Sequence, residues 1–444
     1  MKRNSMLLAV IAFINLIPLQ SQELYDLNRC ITTGLERNFS LLIARNQEEI
    51  SNNNYTAGNA GFLPTLNLTS RYGGSLNDND QTLSTGEESS TSGIHNTSGN
   101  ATATLGWTIF QGFSVQTTYR KLNELKQVGE LNTKMAVENL MADIVSEYYL
   151  YIQQIKLYQN LSYAVMLSRE RVRIDEERYL LGAASKLQLL QSRVYLNTDS
   201  SRLSRQNEVL RTSQVRLSEL MALPDLGVDI RLKDSMIYIV TNLVYEQLLE
   251  ETLKSNTSLL IAASNRNISQ YDYRIIASRT YPYLNFSSGY SYSYNDYGSG
   301  ALKNQQSRGM NYGLTLGIDL FDGFNRQREK SNAQIEIENR EHQYEEVDQQ
   351  VRADLITIYY AYTNNLLLLK LEEQNLKTAE ENLDIALERY KLGSLSGLEL
   401  REVQKSLLDA EERLISVEYL TKLAEISLLQ ISGRIMEYLT PGTL

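Results

Sequence analysis

Alternation of period two and helical runs of unusual length divide the chain between them. From Leu284 the residues alternate, with Leu284, Phe286, Tyr290, Tyr292 and Tyr294 on one face and Asn285, Ser287, Gly289, Ser291 and Ser293 on the other. After a polar stretch from Asn295 to Ser307 the pattern resumes: Met310, Tyr312, Leu314, Leu316, Ile318 and Leu320 oppose Asn311, Gly313, Thr315, Gly317 and Asp319. Two such runs joined by a turn-rich loop predict a β-hairpin. One face is apolar and aromatic and the other small and polar, as in a barrel strand with lipid outside and water inside. An earlier pair of runs has the same character. Leu66, Leu68 and Tyr72 alternate with Asn67, Thr69 and Arg71, and Ala101, Ala103, Leu105, Trp107 and Ile109 alternate with Thr102, Thr104, Gly106 and Thr108. Between them Gly73 to Asn96, rich in Ser, Thr, Asn, Asp and Gly, reads as a solvated loop.

Each hairpin leads through a Gly-Phe pair into a long helical pattern. From Ser114 to Leu181 the only Gly or Pro is Gly129, and from Asn325 to Leu392 there is none. Apolar residues recur at spacings of three and four, as in Val351, Leu355, Ile358, Tyr359 and Tyr362, then Leu383, Ala386, Leu387 and Tyr390. At 1.5 Å per residue each such helix would run roughly 100 Å. Gly182 and Gly393 interrupt the patterns, and a second helix follows each, ending near Pro224 and Gly433. Helices of this length exceed a globular core and imply a coiled-coil arrangement.

The two sets of elements are copies. Tyr179, Gly182, Ser185 and Leu187 return as Tyr390, Gly393, Ser396 and Leu398, a shift of 211 residues (390 − 179). Thr104-Leu-Gly106, Phe110 and Gly112-Phe113 return at the same shift as Thr315-Leu-Gly317, Phe321 and Gly323-Phe324. Asn38 to Ala44 and Pro64 return at a shift of 218 (256 − 38). Units of about 210 residues are too long for a solenoid, whereas internally duplicated halves are common in transport proteins. The expected organisation is therefore a signal peptide at 1–22, a first repeat at 23–223 and a second at 224–444. The hairpins are expected at about 64–110 and 282–321, with helix tips near 182 and 393.

Composition narrows the function. Lys2 and Arg3, an apolar run from Met6 to Leu19 and a polar end near Ser21 or Gln22 form a signal-peptide layout, so export is expected. Export and aromatic density favour a membrane hairpin over the edge of a soluble sandwich. No other segment offers about 20 consecutive apolar residues, which excludes a helical membrane protein. A net charge of −10 argues against a nucleic-acid partner. Cys30 is the only cysteine and reads as a buried thiol on the first helix. His95 and His342 lie in unrelated contexts and no phosphate-binding Gly loop occurs, so neither an enzyme nor a cofactor or metal site is expected.

Four strands cannot close a barrel, and open edges are not tolerated in lipid, so copies must pool their strands. Signal peptide, duplicated halves, hairpins ending in Phe-x-Gly-Phe, long helices and the Tyr-x-x-Gly tip together resemble the TolC-like outer-membrane efflux proteins. The resemblance implies a mainly α fold with a membrane β-barrel portion. Long antiparallel helices would form a periplasmic α-barrel, and four strands per chain would contribute to a trimeric twelve-stranded β-barrel. It implies a homotrimer in the outer membrane that docks on a periplasmic adaptor and an inner-membrane pump, as an exit duct for efflux or type I secretion. An exported coiled-coil spacer anchored in the outer membrane is the alternative.

The resemblance also assigns residues. Leu181, Gly182, Ser185, Leu392, Gly393 and Ser396 form the tips that would contact the adaptor. Glu399 and Glu402, three apart on one helical face, would line a channel constriction; the first-repeat counterparts are Gln188 and Gln191. In the family a Tyr and an Arg hold the tip closed against an Asp. Tyr390 matches the Tyr, Leu395 stands in the Arg position and Gln188 in the Asp position, so a neutral latch between Tyr390 and Gln188 is expected.

Overall fold

The computed structural model describes residues 24–439, so the expected signal peptide lies outside the described residues. In chain order the elements are β1 (Leu24–Tyr25), α1 (Leu27–Arg37), α2 (Phe39–Asn54), α3 (Ala57–Ala60), β2 (Thr65–Thr82), β3 (Glu88–Gln111), α4 (Ser114–Leu180) and α5 (Lys186–Leu220). Then follow β4 (Arg231–Leu232), α6 (Tyr245–Ser255), α7 (Thr257–Ser278), β5 (Tyr283–Asp296), β6 (Asn304–Gly317), α8 (Asn325–Lys391), α9 (Gly397–Ile431) and a 3-10 turn, Ile435–Leu439. The long helices α4 and α8 both have 67 residues, and α5 and α9 both have 35. The chain divides into two compact units. One holds the described residues up to Arg45 with Thr133–Thr257 and the chain from Asp348; the other holds Asn46–Asn132 and Ser258–Val347.

The second unit carries an antiparallel sheet in the order β2-β3-β5-β6. Its register lines up the apolar positions of all four strands. Leu68 faces Ala103, Ala103 faces Tyr290, and Tyr290 faces Met310. Trp107, Phe286 and Leu314 form another row, and Phe110, Leu284 and Leu316 a third. Much of this face is bare, with Leu68 78% and Leu316 73% exposed. Among the described residues β2 and β6 are each paired on one side only.

Three expectations about the hairpins need correction. The supposed loop from Gly73 to Asn96 is strand: pairing continues out to Thr82 opposite Glu88, leaving only 83–87 as the turn. Polarity rules out burial but not pairing, because the ladder is made by backbone groups that every residue carries. Asp78 marks a bulge between Asn77 and Asn79, and its carboxylate accepts the Gly93 N–H at 2.7 Å. In the second hairpin pairing reaches Asp296 opposite Asn304, so that loop shrinks to 297–303. That strand also stops at Gly317, which leaves Ile318 and Leu320 beyond it.

The turn into the long helix is the same in both copies, although β3 runs directly into it and β6 ends earlier, at Gly317. Gly112 and Phe113 have φ of 56° and 66°, Gly323 and Phe324 of 68° and 65°. The backbone packs so closely at Gly112 that a Cβ would lie 2.2 Å from the Ser278 carbonyl oxygen. Phe110 stands edge-on to Phe113 at 5.2 Å and Phe321 to Phe324 at 5.3 Å. The Phe-x-Gly-Phe motif is thus a left-handed turn stapled by two rings.

In the first unit the main core gathers Ile31, Leu41, Met141, Ile144, Tyr148, Leu217, Met221 and Leu429. Cys30 is fully buried there, and burial pushes its thiol up to about 12. Around the 3-10 turn, Glu425 accepts from Lys422 at 2.7 Å, from the Tyr438 hydroxyl at 3.0 Å and from the Val240 N–H at 2.9 Å. A buried carboxylate demands such partners, and this one fixes the segment between the copies to α9.

The helix tips as candidate functional site

Both tips are built by the same backbone rule. Helix α4 closes with the Gly182 N–H on the Tyr179 carbonyl and the Ala183 N–H on Arg178, while α8 closes with Gly393 on Tyr390 and Ser394 on Arg389. Gly182 and Gly393 have φ of 75° and 76°, the left-handed conformation that ends helices. Nothing lies within 4 Å of the space a Cβ would take at either, so backbone conformation alone asks for glycine. Ser185 and Ser396 cap the next helices, accepting from the N–H groups of Gln188 and Glu399 at 3.2 Å. At the outer surface Leu181 is 84% and Leu392 81% exposed.

Behind the tips lies a buried polar cluster. The Tyr390 hydroxyl donates to Asp175 Oδ1, and the Gln188 amide donates to the same oxygen at 3.2 Å. Tyr390 and Asp175 have no exposed surface. Arg178 donates to the Tyr390 carbonyl and lies over the Tyr390 ring at 4.5 Å. Arg171, on the turn before Asp175, sits 3.8 Å from its other oxygen. Burial and the hydrogen bond to Asp175 raise the Tyr390 hydroxyl above its ordinary value. The structure brings Tyr390 and Gln188 together and adds a carboxylate, Asp175, that was not part of the expected neutral pair. Leu395, at the position where the resemblance implies an Arg, packs against the apolar cluster of Leu383, Ala386, Leu400 and Leu407.

The acidic pair is placed differently. Glu399 and Glu402 are both exposed, on the first turns of α9. Glu399 bends back so that the Ser396 N–H donates to its carboxylate at 2.8 Å, which closes a capping box. The hydrogen bonds with Ser396 hold its carboxyl below the usual value. Gln191 donates to the Tyr195 hydroxyl at 3.2 Å.

Asp175, Arg171 and Arg178 escaped the reading of the sequence, as did Asp199 and Arg401 further along the helices. A signal was present in the duplication. The counterparts of Asp175 and Asp199 are Ala386 and Ala410 (175 + 211, 199 + 211), both buried. A carboxylate at a position whose copy holds a core alanine is a carboxylate inside the helix bundle. Among the described residues no group of three or more His, Cys, Asp and Glu is placed to hold a metal ion, and no helix is long and apolar enough to cross a membrane.

Solved structures share this fold. The outer membrane protein VceC of Vibrio cholerae matches with a TM-score of 0.75 and 16% identity, over 92% of this chain and 96% of that one. The CmeC outer membrane channel of Campylobacter jejuni matches with a TM-score of 0.78 and 16% identity, over 92% and 85%. A structure of the Neisseria gonorrhoeae MtrE outer membrane channel in its open state matches with a TM-score of 0.67 and 15% identity, over 92% and 88%. At these identities the likeness is one of fold. The comparison with curated proteins gave no match. The sequence itself matches the outer membrane efflux protein family over residues 31–223 and 248–434, the two copies and nearly all of each. With strands, long helices and tips arranged as described, the chain belongs to the outer membrane efflux protein family.

Proposed function

We propose that the chain is one protomer of a homotrimeric exit duct, with each duplicated half acting as one structural repeat. Three chains of four strands would close a twelve-stranded barrel in outer-membrane lipid, and their long helices would form an α-barrel in the periplasm. The observation that carries this reading is the four-stranded sheet with a bare apolar face and two edges unpaired within the chain. In lipid each unpaired backbone group costs several kcal/mol, so β6 of one copy must pair with β2 of the next.

On the same reading the duct is passive and does no chemistry of its own. Leu181, Gly182, Ser185, Leu392, Gly393 and Ser396 are the surface offered to a periplasmic adaptor, which connects the duct to an inner-membrane pump. Tyr390, Gln188 and Asp175 form the latch that holds the tips together. Glu399 and Glu402, repeated three-fold, form a ring of carboxylates at the constriction; rings of this kind favour cations.

Deleting the gene and measuring export of dyes, detergents and antibiotics tests the duct, with wild-type and Tyr390→Phe chains supplied back. Lost export that the wild-type chain restores is the expected result. Unchanged export of every compound, with a damaged envelope, would leave the coiled-coil spacer as the better reading.

A further inference from the structure

We propose that Arg401 and Asp199 form a second clasp between the copies, and that this clasp positions the tip latch through the ring of Tyr195. The inference rests on reading the tips as a latched entrance. Arg401 of α9 donates twice to Asp199 of α5, at 2.9 and 2.8 Å. The Ser168 hydroxyl of α4 donates to the same carboxylate. The fork is almost closed to water, with the Arg401 side chain 12% and the Asp199 side chain 2% exposed. Three long helices therefore converge on one carboxylate.

Tyr195 lies one turn before Asp199 on α5, and its ring has a guanidinium at 5.1 Å twice over. One is Arg401 of the clasp and the other is Arg171 of the tip cluster. Arg171 is otherwise loosely held. Its Nε and Nη1 make no hydrogen bond, and neither does the Asp175 oxygen beside it. The Tyr195 ring is thus a contact that orients Arg171, and through Arg171 the carboxylate that Tyr390 grips.

The duplication shows that this clasp joins the copies and is not repeated in each. The counterparts of Asp199, Tyr195 and Arg401 are Ala410, Ser406 and Leu190 (401 − 211). Tyr390 and Arg401, on either side of the second tip, reach Asp175 and Asp199 on either side of the first. A buried ion pair is weak evidence for stability, since apolar residues of similar volume often serve as well. A two-pronged guanidinium contact contributes geometry instead, one registry of α9 on α5. Arg401 is accordingly a positioning residue: releasing Tyr390 of α8 alone leaves α9 tied to α5 through Arg401.

The test is resting conductance of the full-length protein in planar bilayers, for Arg401→Lys, Arg401→Leu, Tyr390→Phe and Tyr195→Leu, singly and in pairs. Melting temperature and oligomer recovery are measured alongside. Arg401→Lys and Arg401→Leu should both leak, although leucine preserves apolar packing. Combining either with Tyr390→Phe should exceed the product of the single effects by about threefold or more, as for side chains in one network. Tyr195→Leu should remove that excess. Wild-type conductance in both Arg401 variants, or effects that simply multiply with Tyr195 intact, overturns the proposal. A silent Tyr390→Phe beside a leaky Arg401→Leu sinks the latch and leaves Arg401 as the holding contact, so the two readings fail separately.

Discussion

Gln188 and Glu399 occupy the same position in the two copies (399 − 188 = 211), and their side chains turn in opposite directions. Each supplies the N–H that its capping serine accepts. Gln188 then reaches away from its own helix end to Asp175 at 3.2 Å, while Glu399 folds back to the Ser396 N–H at 2.8 Å. Two exchanges go together: the Gln188 amide has Asp175 to donate to, whereas Glu399, which can only accept, has Ala386 at the position corresponding to Asp175. The first tip is thereby wired into the buried cluster, and the second is closed on itself.

Ser396→Ala should consequently loosen the first turn of α9. Loss of an N-cap costs about 1 kcal/mol, equivalent to roughly fivefold faster amide exchange there. Acid should act in the same direction. The Glu399 carboxyl is held below its ordinary value, so its contribution is present at neutral pH and disappears as pH falls through the folded-state value. Hydrogen exchange resolved to 398–401 checks both; protection unaltered by the substitution would mean that packing holds the helix end.

The long elements were legible because each obeys one period for many residues. The long stretches with no Pro and at most one Gly placed α4 and α8 to within a residue of their ends, and the alternation of Leu284 to Tyr294 placed β5. The outer half of the first hairpin was not legible, since a ladder between polar strands leaves no apolar face to read. The buried cluster behind the tips was only half legible. Tyr390 and Gln188 stand out beside the glycines, but Asp175 lies inside a long helix most of whose charged residues are solvated. Its burial depends on helices that come from the other half of the chain.

Tyr390→Phe removes a hydrogen bond to a fully buried carboxylate. Bonds of that kind contribute about 1.5–3 kcal/mol, and Asp175 is left with the Gln188 amide and with Arg171 at 3.8 Å. Resting conductance in a planar bilayer should rise, and Asp175→Asn should raise it too, with Gln188→Ala the mildest of the three. Equal, wild-type conductance in all three would remove the cluster from any role at the entrance.

Gly182→Ala and Gly393→Ala should each destabilise by about 1–2 kcal/mol, the cost of a left-handed Cβ. Because both sites are open, the two substitutions should cost the same, and asparagine should cost less than alanine at either. Thermal melting of the four variants provides the comparison. A much larger loss at one glycine would show that its tip is packed against something else.

If Glu399 and Glu402 ring the constriction, a multivalent cation should block conductance, and Glu402→Gln should weaken that block severalfold. Glu399→Gln should weaken it less cleanly, because that carboxylate is also engaged by Ser396. Dose-response of block by a trivalent cation in bilayers separates the cases. Block identical in Glu402→Gln and wild type would place the ring elsewhere.

Alkaline pH should unfold the helical part sharply. Burial raises the hydroxyls of Tyr148, Tyr149, Tyr390 and Tyr438, with the carboxylates of Asp234, Asp175 and Glu425 adding to it at several of them, and it raises Tyr362 to about 12. A tyrosine with a raised folded-state value holds its proton where the unfolded chain releases it, near pH 10. The folded state then binds more protons than the unfolded one, so stability falls as pH rises through that window and is intact below it. Several such residues in one unit make the loss steep. Tyrosinate absorbance and helical circular dichroism, followed together through an alkaline titration, should change in one step for this buried class. Tyrosinate appearing well before any helix is lost would mean that these hydroxyls reach water in the folded protein.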